Sequence, residues 1–324
     1  MQRFHQEQTT SLPTVPYSPS GLLSHLPPPP ADKTGWPWTE ETDPAVYGEQ
    51  KDCPKISIVT PSFNQAGYLE ETIRSVLLQN YPNLEYIIID GGSTDESVEI
   101  LKKYSPWISF WVSEKDKGQS HAINKGFQLT TGEWMNWLCS DDILASECLF
   151  KLIQEVTPTT RWILGKELYW DAESNLIQFS RIVYRPKISY NLLLFGRFII
   201  AQVASFWRRD LWDEAGAYVE TELHYAMDYE LWLRFAKLSS PKIGSHVAIL
   251  RLHSAQKTNQ ESGVALYVDE CDRIRCRLLK GHIPLWYAEL LVNFHTRRWM
   301  AFRYRWTSWF RPRPIGWLRD YWSD

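Results

Sequence analysis

The feature that most constrains the fold of this chain is an alternation of apolar blocks with helical periodicity between residues 55 and 138. Residues 56–59 and 84–90 are rich in β-branched side chains, which is typical of parallel strands buried on both faces. Between them, apolar residues such as Leu69 and Ile73 recur at helical spacing. The pattern predicts a βαβ unit with both strands in one sheet.

The alternation continues beyond this first unit. Ser93 and Glu96 have the spacing of a capping box, which predicts that the second helix begins at Thr94. We therefore expect an α/β fold in which a mostly parallel, doubly wound sheet has helices on both faces and right-handed crossovers. The further predicted elements are strands over 108–112 and 134–138 and helices over 94–104 and 119–129.

Composition excludes several classes of protein. The chain has 324 residues, of which 44% are hydrophobic, so it can form a core and is not disordered throughout. A net charge of −3 offers no basic surface for duplex nucleic acid, and none is expected as a partner. Five scattered cysteines without a CxxC motif indicate a reducing compartment. With no signal-peptide pattern and no apolar run of about 18 to 20 residues, we expect a cytoplasmic location.

We predict three parts along the chain. Residues 1–54 are a proline-rich extended arm, which the Gly-Trp-Pro-Trp segment at 35–38 is expected to attach to the following domain. Residues 55–282 form the central domain, and residues 283–324 are a helical tail rich in Arg and Trp. That mixture is typical of contact with a membrane surface, but apolar residues such as Leu291 allow packing on the domain equally well.

Acidic residues follow several of the predicted strands. Asp90 ends the second strand, and Asp141 and Asp142 follow the fourth. Each alone could be a helix cap, but the carboxyl ends of parallel strands meet at one edge of a sheet, where such folds bind ligands. Paired carboxylates suit Mg²⁺ or Mn²⁺, and Lys117 adds a positive charge for a diphosphate. The chain lacks the GxxxxGK[ST] and GxGxxG motifs, so a P-loop or dinucleotide site is not expected.

Together these segments resemble the large inverting glycosyltransferase family numbered two, which belongs to the nucleotide-diphospho-sugar transferase superfamily and has the GT-A fold. The resemblance covers roughly residues 55–260. It implies a donor half at about 55–145 and an acceptor half at about 146–260. The motifs in chain order are ISIVTPSFN at 56–64, IDGGSTD at 89–95, DKGQS at 116–120, AINKG at 122–126, SDD at 140–142 and MDYELWLR at 227–234.

The resemblance also implies the residues of the site. Phe63 would stack on the base, Lys117 would face the pyrophosphate or the base, and Asp228 would be the general base at the start of a helix. Inversion needs only one such base when a metal stabilises the leaving group, although Asp228 alone is also compatible with a simple helix cap. The implied nucleotide-sugar ligands are Pro61, Phe63, Asn64, Asp90, Lys117 and Asp141, and the implied ligands of Mg²⁺ or Mn²⁺ are Asp142 and His253.

Some positions depart from the family pattern. Gly91 stands where many relatives carry an aspartate that can read the edge of the base, so the sequence leaves the base open. Trp207 and Trp212 are candidates for stacking on a sugar ring, although a core position is the favoured interpretation for each. His295 replaces the glutamine of a QxxRW signature and no membrane spans follow, so we do not expect a processive polymer synthase.

The sequence therefore predicts a metal-dependent glycosyltransferase. It would move one sugar from a nucleotide diphosphate sugar to a glycan or lipid-linked hydroxyl, with inversion. We expect a role in surface polysaccharide or glycolipid assembly, with possible peripheral contact at the inner face of the plasma membrane. The alternatives are a sugar nucleotidyltransferase, for which a glycine-rich basic opening is missing near residues 56–64, and a catalytically silent glycan-binding scaffold.

Overall fold

The protein is described here by a computed structural model. The predicted tail at 283–324 lies outside the described residues, apart from a two-residue strand within it. Among the helices of the described part, none combines the length and apolar character needed to cross a membrane. The described residues are 12–48, 53–172, 176–179, 188–195, 200, 202–256, 261–279 and 313–314.

The first part of the domain, residues 56–137, is built on four parallel strands, and the predicted doubly wound sheet is confirmed. Their spatial order is β3-β2-β1-β4, so the winding direction reverses between β1 and β4. Crevices at such reversals are where open α/β sheets bind ligands. The strands are β1 (Ile56–Ser62), β2 (Leu84–Asp90), β3 (Phe110–Ser113) and β4 (Trp134–Trp137).

Antiparallel strands extend the sheet beyond β4. β8 pairs with β4, and β6 pairs with β8, β7 and the long strand β9. Because β9 also pairs with β5, the end of β9 comes next to the loop that follows β4. These strands are β5 (Ile143–Leu144), β6 (Trp162–Asp171), β7 (Leu176–Phe179), β8 (Ser205–Arg208), β9 (Lys242–Leu252) and β10 (Arg313–Pro314).

Helices cover both faces of the sheet. α1, α2 and α4 contribute to the apolar core on one face, and α3, α5, α6, α7 and α8 to that on the other. The two layers explain why β1 and β2 are buried along their whole length. The helices are α1 (Ala66–Leu77), α2 (Ser97–Tyr104), α3 (Gln119–Leu129), α4 (Cys148–Glu155), α5 (Tyr190–Leu194), α6 (Arg209–Glu214), α7 (Met227–Leu238) and α8 (Glu261–Leu279).

The predicted capping box before α2 is wrong. The helix begins at Ser97, and its first N–H donates to Asp95 Oδ1 at 3.0 Å. The Ser93 hydroxyl instead donates to Asp90 Oδ1 at 2.5 Å. The Ser93 oxygen in turn accepts the Asn64 N–H at 2.7 Å, so the hydroxyl is bonded within the loops and does not cap the helix.

Tryptophans form much of the core between the sheet and α7. Trp207 and Trp212 are buried, and the ring centroid of Trp207 lies 5.6 Å from that of Trp232. The core interpretation of Trp207 and Trp212 is therefore confirmed, and neither is placed to stack on an acceptor sugar. Trp137 and Trp162 stack on Trp232 from either side, at 5.9 and 5.3 Å between centroids.

The N-terminal arm packs on the face formed by α1 and α2. The guanidinium of Arg74 on α1 is fully buried and donates to the carbonyl oxygens of Pro27, Pro37 and Trp38 at 2.9 to 3.0 Å. Trp36 also attaches, since its Nε1 donates to the Leu144 carbonyl at 2.9 Å. The expected attachment through residues 35–38 is thus confirmed. The sequence did not identify Arg74 as the residue that holds the arm in place.

We expect Arg74→Met to destabilise the protein by roughly 3 kcal/mol. The substitution keeps the apolar volume but leaves three backbone carbonyls of the arm without their charged donor. Bonds to charged groups are worth about 1.5 to 3 kcal/mol each, and removal of the buried charge offsets part of their loss. Urea denaturation measures the change. Arg273→Met is the matched control, because Arg273 forms an exposed pair with Asp269 and should cost no more than about 0.5 kcal/mol. Equal stability of the two variants would contradict the prediction.

Candidate active site

The loop after β4 carries the two adjacent carboxylates. A turn closes it, in which the Asp142 N–H donates to the Cys139 carbonyl at 3.0 Å. The Thr72 hydroxyl of α1 lies 2.9 Å from the Ser140 carbonyl oxygen and 2.7 Å from that of Asp142. The helix that follows β1 thus fixes the loop that follows β4, at the point where the winding of the sheet reverses.

Arg251 at the end of β9 holds this loop from the other side. Its N–H donates to Asp142 Oδ1 at 3.1 Å, and its Nε donates to the Asp141 carbonyl at 2.9 Å. Its Nη2 forms a buried ion pair of 2.7 Å with Glu71 Oε2. Glu71 Oε1 accepts a bond from the Trp38 indole at 2.9 Å, so the N-terminal arm is linked to the carboxylate loop through two side chains.

Asp142 is almost completely buried, with 4% of its surface exposed. Burial raises the pKa of its carboxyl well above the usual range, and the neighbouring charge of Asp141 raises it further. The N–H of Arg251 opposes this shift but does not offset it. A group in this position favours either a proton or a bound cation.

His253 lies beside this pair. Its Nε2 is 3.0 Å from Asp141 Oδ2, and its ring lies against Tyr68 with 4.3 Å between ring centroids. Within the described residues, the donor atoms that cluster within 4.8 Å of one another belong to Cys139, Asp141 and Asp142. His253 contacts that cluster through Asp141, where it can orient the carboxylate, and its expected role as a metal ligand stays a prediction.

The donor set fits a divalent cation. Two carboxylates, one of them buried with a raised pKa, supply the negative oxygen ligands that Mg²⁺ and Mn²⁺ prefer. The sequence did not predict that Cys139 lies beside these carboxylates, because a single cysteine outside a motif does not indicate a metal site. The Cys139 thiol accepts a bond from Gln119 Nε2 at 3.3 Å.

Asp228 lies in the first turn of α7, as predicted. Its Oδ1 accepts the Tyr229 N–H at 2.7 Å, and its side chain is half-buried. Burial raises the pKa of Asp228 to about 6, and the charge of Glu270 adds to this effect. Glu270 on α8 accepts the backbone N–H groups of residues 224–226 at 2.8 to 3.2 Å and so fixes the start of α7.

The first turn of α3 links the carboxylate loop to the segment before Asp228, since Gln119 contacts Cys139 and the Ser120 hydroxyl donates to the Leu223 carbonyl at 3.3 Å. Burial raises the pKa of the Cys139 thiol, and the negative charges of Asp142, Asp141 and Asp228 add to this effect. α3 connects the two sides, since Gln119 contacts Cys139 while Asn124 exchanges two hydrogen bonds of 2.7 and 2.8 Å with the backbone of Val219. The motif at 116–126 therefore positions the segment leading to Asp228.

The loop after β1 offers a different kind of surface. Phe63 is 58% exposed, which is unusual for a large apolar side chain beside a well-ordered sheet. Asn64 follows in a left-handed conformation with φ of 52°, and its Oδ1 accepts the Thr94 N–H at 2.8 Å. Pro61 is buried within β1, and its expected contact with the nucleotide sugar stays a prediction.

Asp90 is fully buried. Its two carboxylate oxygens accept bonds from the N–H groups of Gly92 and Ser93 and from the hydroxyls of Ser93 and Ser113, at 2.5 to 3.1 Å. The oxygens of Asp90 are thus bonded inside the loop, and its expected place in the nucleoside pocket stays a prediction. Lys117 is exposed on the loop that leads into α3.

Comparison with known proteins assigns the family. The model of glycosyl transferase family 2 matches residues 57–212. An uncharacterized glycosyltransferase of Mycobacterium tuberculosis is 30% identical over 194 residues, which cover 58% of this chain and 71% of that protein. The chain belongs to glycosyl transferase family 2. An uncharacterized glycosyltransferase of Rickettsia typhi is 27% identical over 227 residues, and the match spans 64% of this chain and 66% of that relative.

Solved structures confirm the GT-A fold for this family 2 member. S. aureus TarS 1-349 in complex with UDP-GlcNAc has a TM-score of 0.56 and 17% identity, with 76% of this chain and 73% of that 1-349 chain covered. The mannosyltransferase PcManGT from Pyrobaculum calidifontis, in complex with GDP-Man and Mn²⁺, has a TM-score of 0.51 and 18% identity, with 82% and 77% covered. At these identities the likeness shows the fold alone.

Proposed function

We propose that this family 2 protein transfers one sugar from a nucleoside diphosphate sugar to a hydroxyl group, with inversion. The observation that supports the proposal is that the first turn of α3 contacts both the loop of Asp141 and Asp142 and the segment leading to the half-buried carboxylate of Asp228. Inverting transfer needs a base on the acceptor side and charge stabilisation on the leaving-group side. Asp228 lies on α7, whereas Asp141 and Asp142 lie in the loop after β4, so the proposed base and the proposed metal ligands come from different elements.

Each residue has a distinct part in this chemistry. Asp228 accepts the proton of the acceptor hydroxyl, and a pKa of about 6 makes it a better base than an ordinary aspartate. Asp142, with Asp141, holds Mg²⁺ or Mn²⁺, and His253 orients Asp141. When bound, the cation neutralises charge on the departing diphosphate.

The donor is proposed to lie along the carboxyl edge of β1, β2 and β4. Phe63 offers an exposed ring on which a base can stack, and Lys117 offers a positive charge for the diphosphate. TarS and PcManGT were solved with UDP-GlcNAc and GDP-Man, which supports a donor of this class. The acceptor is proposed to be a glycan or lipid-linked hydroxyl in surface polysaccharide or glycolipid assembly at the inner face of the plasma membrane.

The test is turnover of a panel of nucleotide sugars with Mn²⁺ or Mg²⁺. Release of a nucleoside diphosphate from at least one donor, lost on chelation with EDTA, would support the proposal. Formation of pyrophosphate would instead indicate a sugar nucleotidyltransferase. No turnover of any donor, with a suitable sugar acceptor present, would favour a silent scaffold.

The pH dependence of transfer should report on Asp228. The base must be ionised to accept a proton, and burial raises its pKa to about 6. We therefore expect kcat/KM to fall as the pH drops through about 6, approaching a tenfold loss for each further pH unit. A profile that stays flat down to pH 4.5, where an ordinary aspartate begins to titrate, would contradict this expectation.

A further inference from the structure

The carboxyl ends of β1, β2 and β3 carry three features in spatial order. They are the exposed ring of Phe63, the bare backbone of Gly91 and the carboxylate of Asp116. Backbone bonds keep these ends together, since the Gly91 N–H donates to the Ser62 carbonyl at 2.8 Å. Neighbouring strands are about 4.8 Å apart, so this edge lies roughly 10 to 14 Å from the carboxylate loop after β4.

Asp116 leans over the backbone of Gly91. A Cβ placed on Gly91 would lie 3.0 Å from Asp116 Oδ2 and 3.2 Å from its Cγ. The absence of a side chain at position 91 therefore makes room for the carboxylate of position 116. Gly91 has an ordinary backbone conformation, so a side chain there would cause no backbone strain. The contact with Asp116 is what opposes a side chain at this position.

The two oxygens of Asp116 have different surroundings. Oδ1 accepts the Gly118 N–H at 2.7 Å, which fixes the orientation of the carboxyl group. In the described part of the chain, no donor pairs with Oδ2, and the side chain is half-buried. One oxygen is thus held in place and the other is available to a ligand at the edge of the sheet.

We propose that Asp116 selects the base of the donor by accepting its ring N–H. This inference rests on the proposed function, because it places the base over Gly91 with its face toward Phe63. A carboxylate only accepts hydrogen bonds when ionised. Uracil and guanine present a ring N–H on their pairing edge, whereas cytosine and adenine present an unprotonated nitrogen there. That nitrogen would face the Asp116 oxygen without a shared proton, and the neighbouring amino group of cytosine or adenine would reach the oxygen only if the base shifted along its edge, so both bases would be disfavoured.

Calorimetric titration of the full chain with UDP, GDP, CDP and ADP in the presence of Mn²⁺ tests the inference. We expect UDP or GDP to bind at least about tenfold more tightly than CDP and ADP. Comparison of the UDP and GDP titrations shows which of the two bases is preferred. Asp116→Ala should lower affinity for the preferred nucleotide about tenfold and leave affinity for CDP nearly unchanged. Thermal denaturation checks that the variant is folded.

A reciprocal exchange makes the test specific to this geometry. Gly91→Asp alone should weaken binding, because its Cβ would lie 3.0 Å from Asp116 Oδ2 and would add a second negative charge beside that carboxylate. The double variant Gly91→Asp/Asp116→Gly moves the carboxylate from position 116 to position 91. It should restore most of the preference for UDP or GDP over CDP and ADP. Glu114→Gln is the matched control, since Glu114 is exposed on the same loop and pairs with Lys125. It should leave the order of affinities unchanged.

The outcomes separate this inference from the proposed function. If the preferred nucleotide binds equally well to Asp116→Ala, or if CDP or ADP is preferred, Asp116 is not the selecting residue while donor binding stands. If no nucleotide binds to the unaltered protein with Mn²⁺, the proposed function fails and the inference fails with it.

Discussion

Asp228→Asn is expected to lower transfer about 10³-fold while nucleotide affinity stays within about twofold. Positioned general bases contribute roughly 10² to 10⁴ in rate. Asparagine keeps the oxygen that accepts the Tyr229 N–H, so the first turn of α7 should remain intact. The amide cannot take a proton from the acceptor. Steady-state kinetics with a saturating donor, together with calorimetric titration of the nucleoside diphosphate, measures both effects.

Two comparisons sharpen this test. Asp269→Asn removes an exposed carboxylate from α8 and should leave transfer unchanged. The low-pH fall in kcat/KM should also disappear from the residual activity of Asp228→Asn, because the titrating group is gone. A loss of nucleotide affinity comparable to the loss of rate would refute the role of Asp228 as base and place it on the donor side.

Asp142→Asn is expected to change stability and metal binding in opposite directions. Burial raises the pKa of this carboxyl, so keeping it ionised in the metal-free protein costs folding free energy. Asparagine retains an acceptor for the Arg251 N–H without the charge. We expect an equal or higher Tm without metal, together with a loss of at least about 100-fold in Mn²⁺-dependent nucleotide affinity.

Asp95→Asn provides the matched contrast. Hydrogen bonds from Ser97 and Ala66 lower the pKa of Asp95, so its ionised form stabilises the fold at neutral pH. This variant should have a lower Tm and unchanged metal dependence. If Asp142→Asn behaves like Asp95→Asn, with reduced stability and intact Mn²⁺-dependent binding, then Asp142 is a structural residue and the metal site lies elsewhere.

Much of the fold was predictable because its signals are local. The strand at 84–90 and the helix at 119–129 have the predicted bounds, since a buried parallel strand demands an unbroken apolar run and an amphipathic helix repeats at a fixed period. The predicted start of the second helix at Thr94 is wrong because of a contact outside that helix. Ser93 bonds to Asp90, whose carboxylate is buried by the neighbouring strands.

The candidate site was predictable only in part. The strand-end positions of Asp141 and Asp142 follow from the alternation of elements, and the place of Asp228 in the first turn of α7 follows from helical periodicity. The sequence did not reveal Cys139 beside the carboxylates, or Arg251 joining them to Glu71. Those contacts join segments far apart in the chain, and no periodicity encodes them.

By itself, the sequence determined the parallel first part of the domain and the edge of the sheet at which its acidic residues collect, because strand burial and right-handed crossovers leave few other arrangements. Only the tertiary structure decided which carboxylates are free to act. Asp90 proved to be enclosed by four donors in its own loop, whereas Asp116 keeps one oxygen available beside Gly91. That difference depends on how neighbouring loops pack, which is a property of the folded chain.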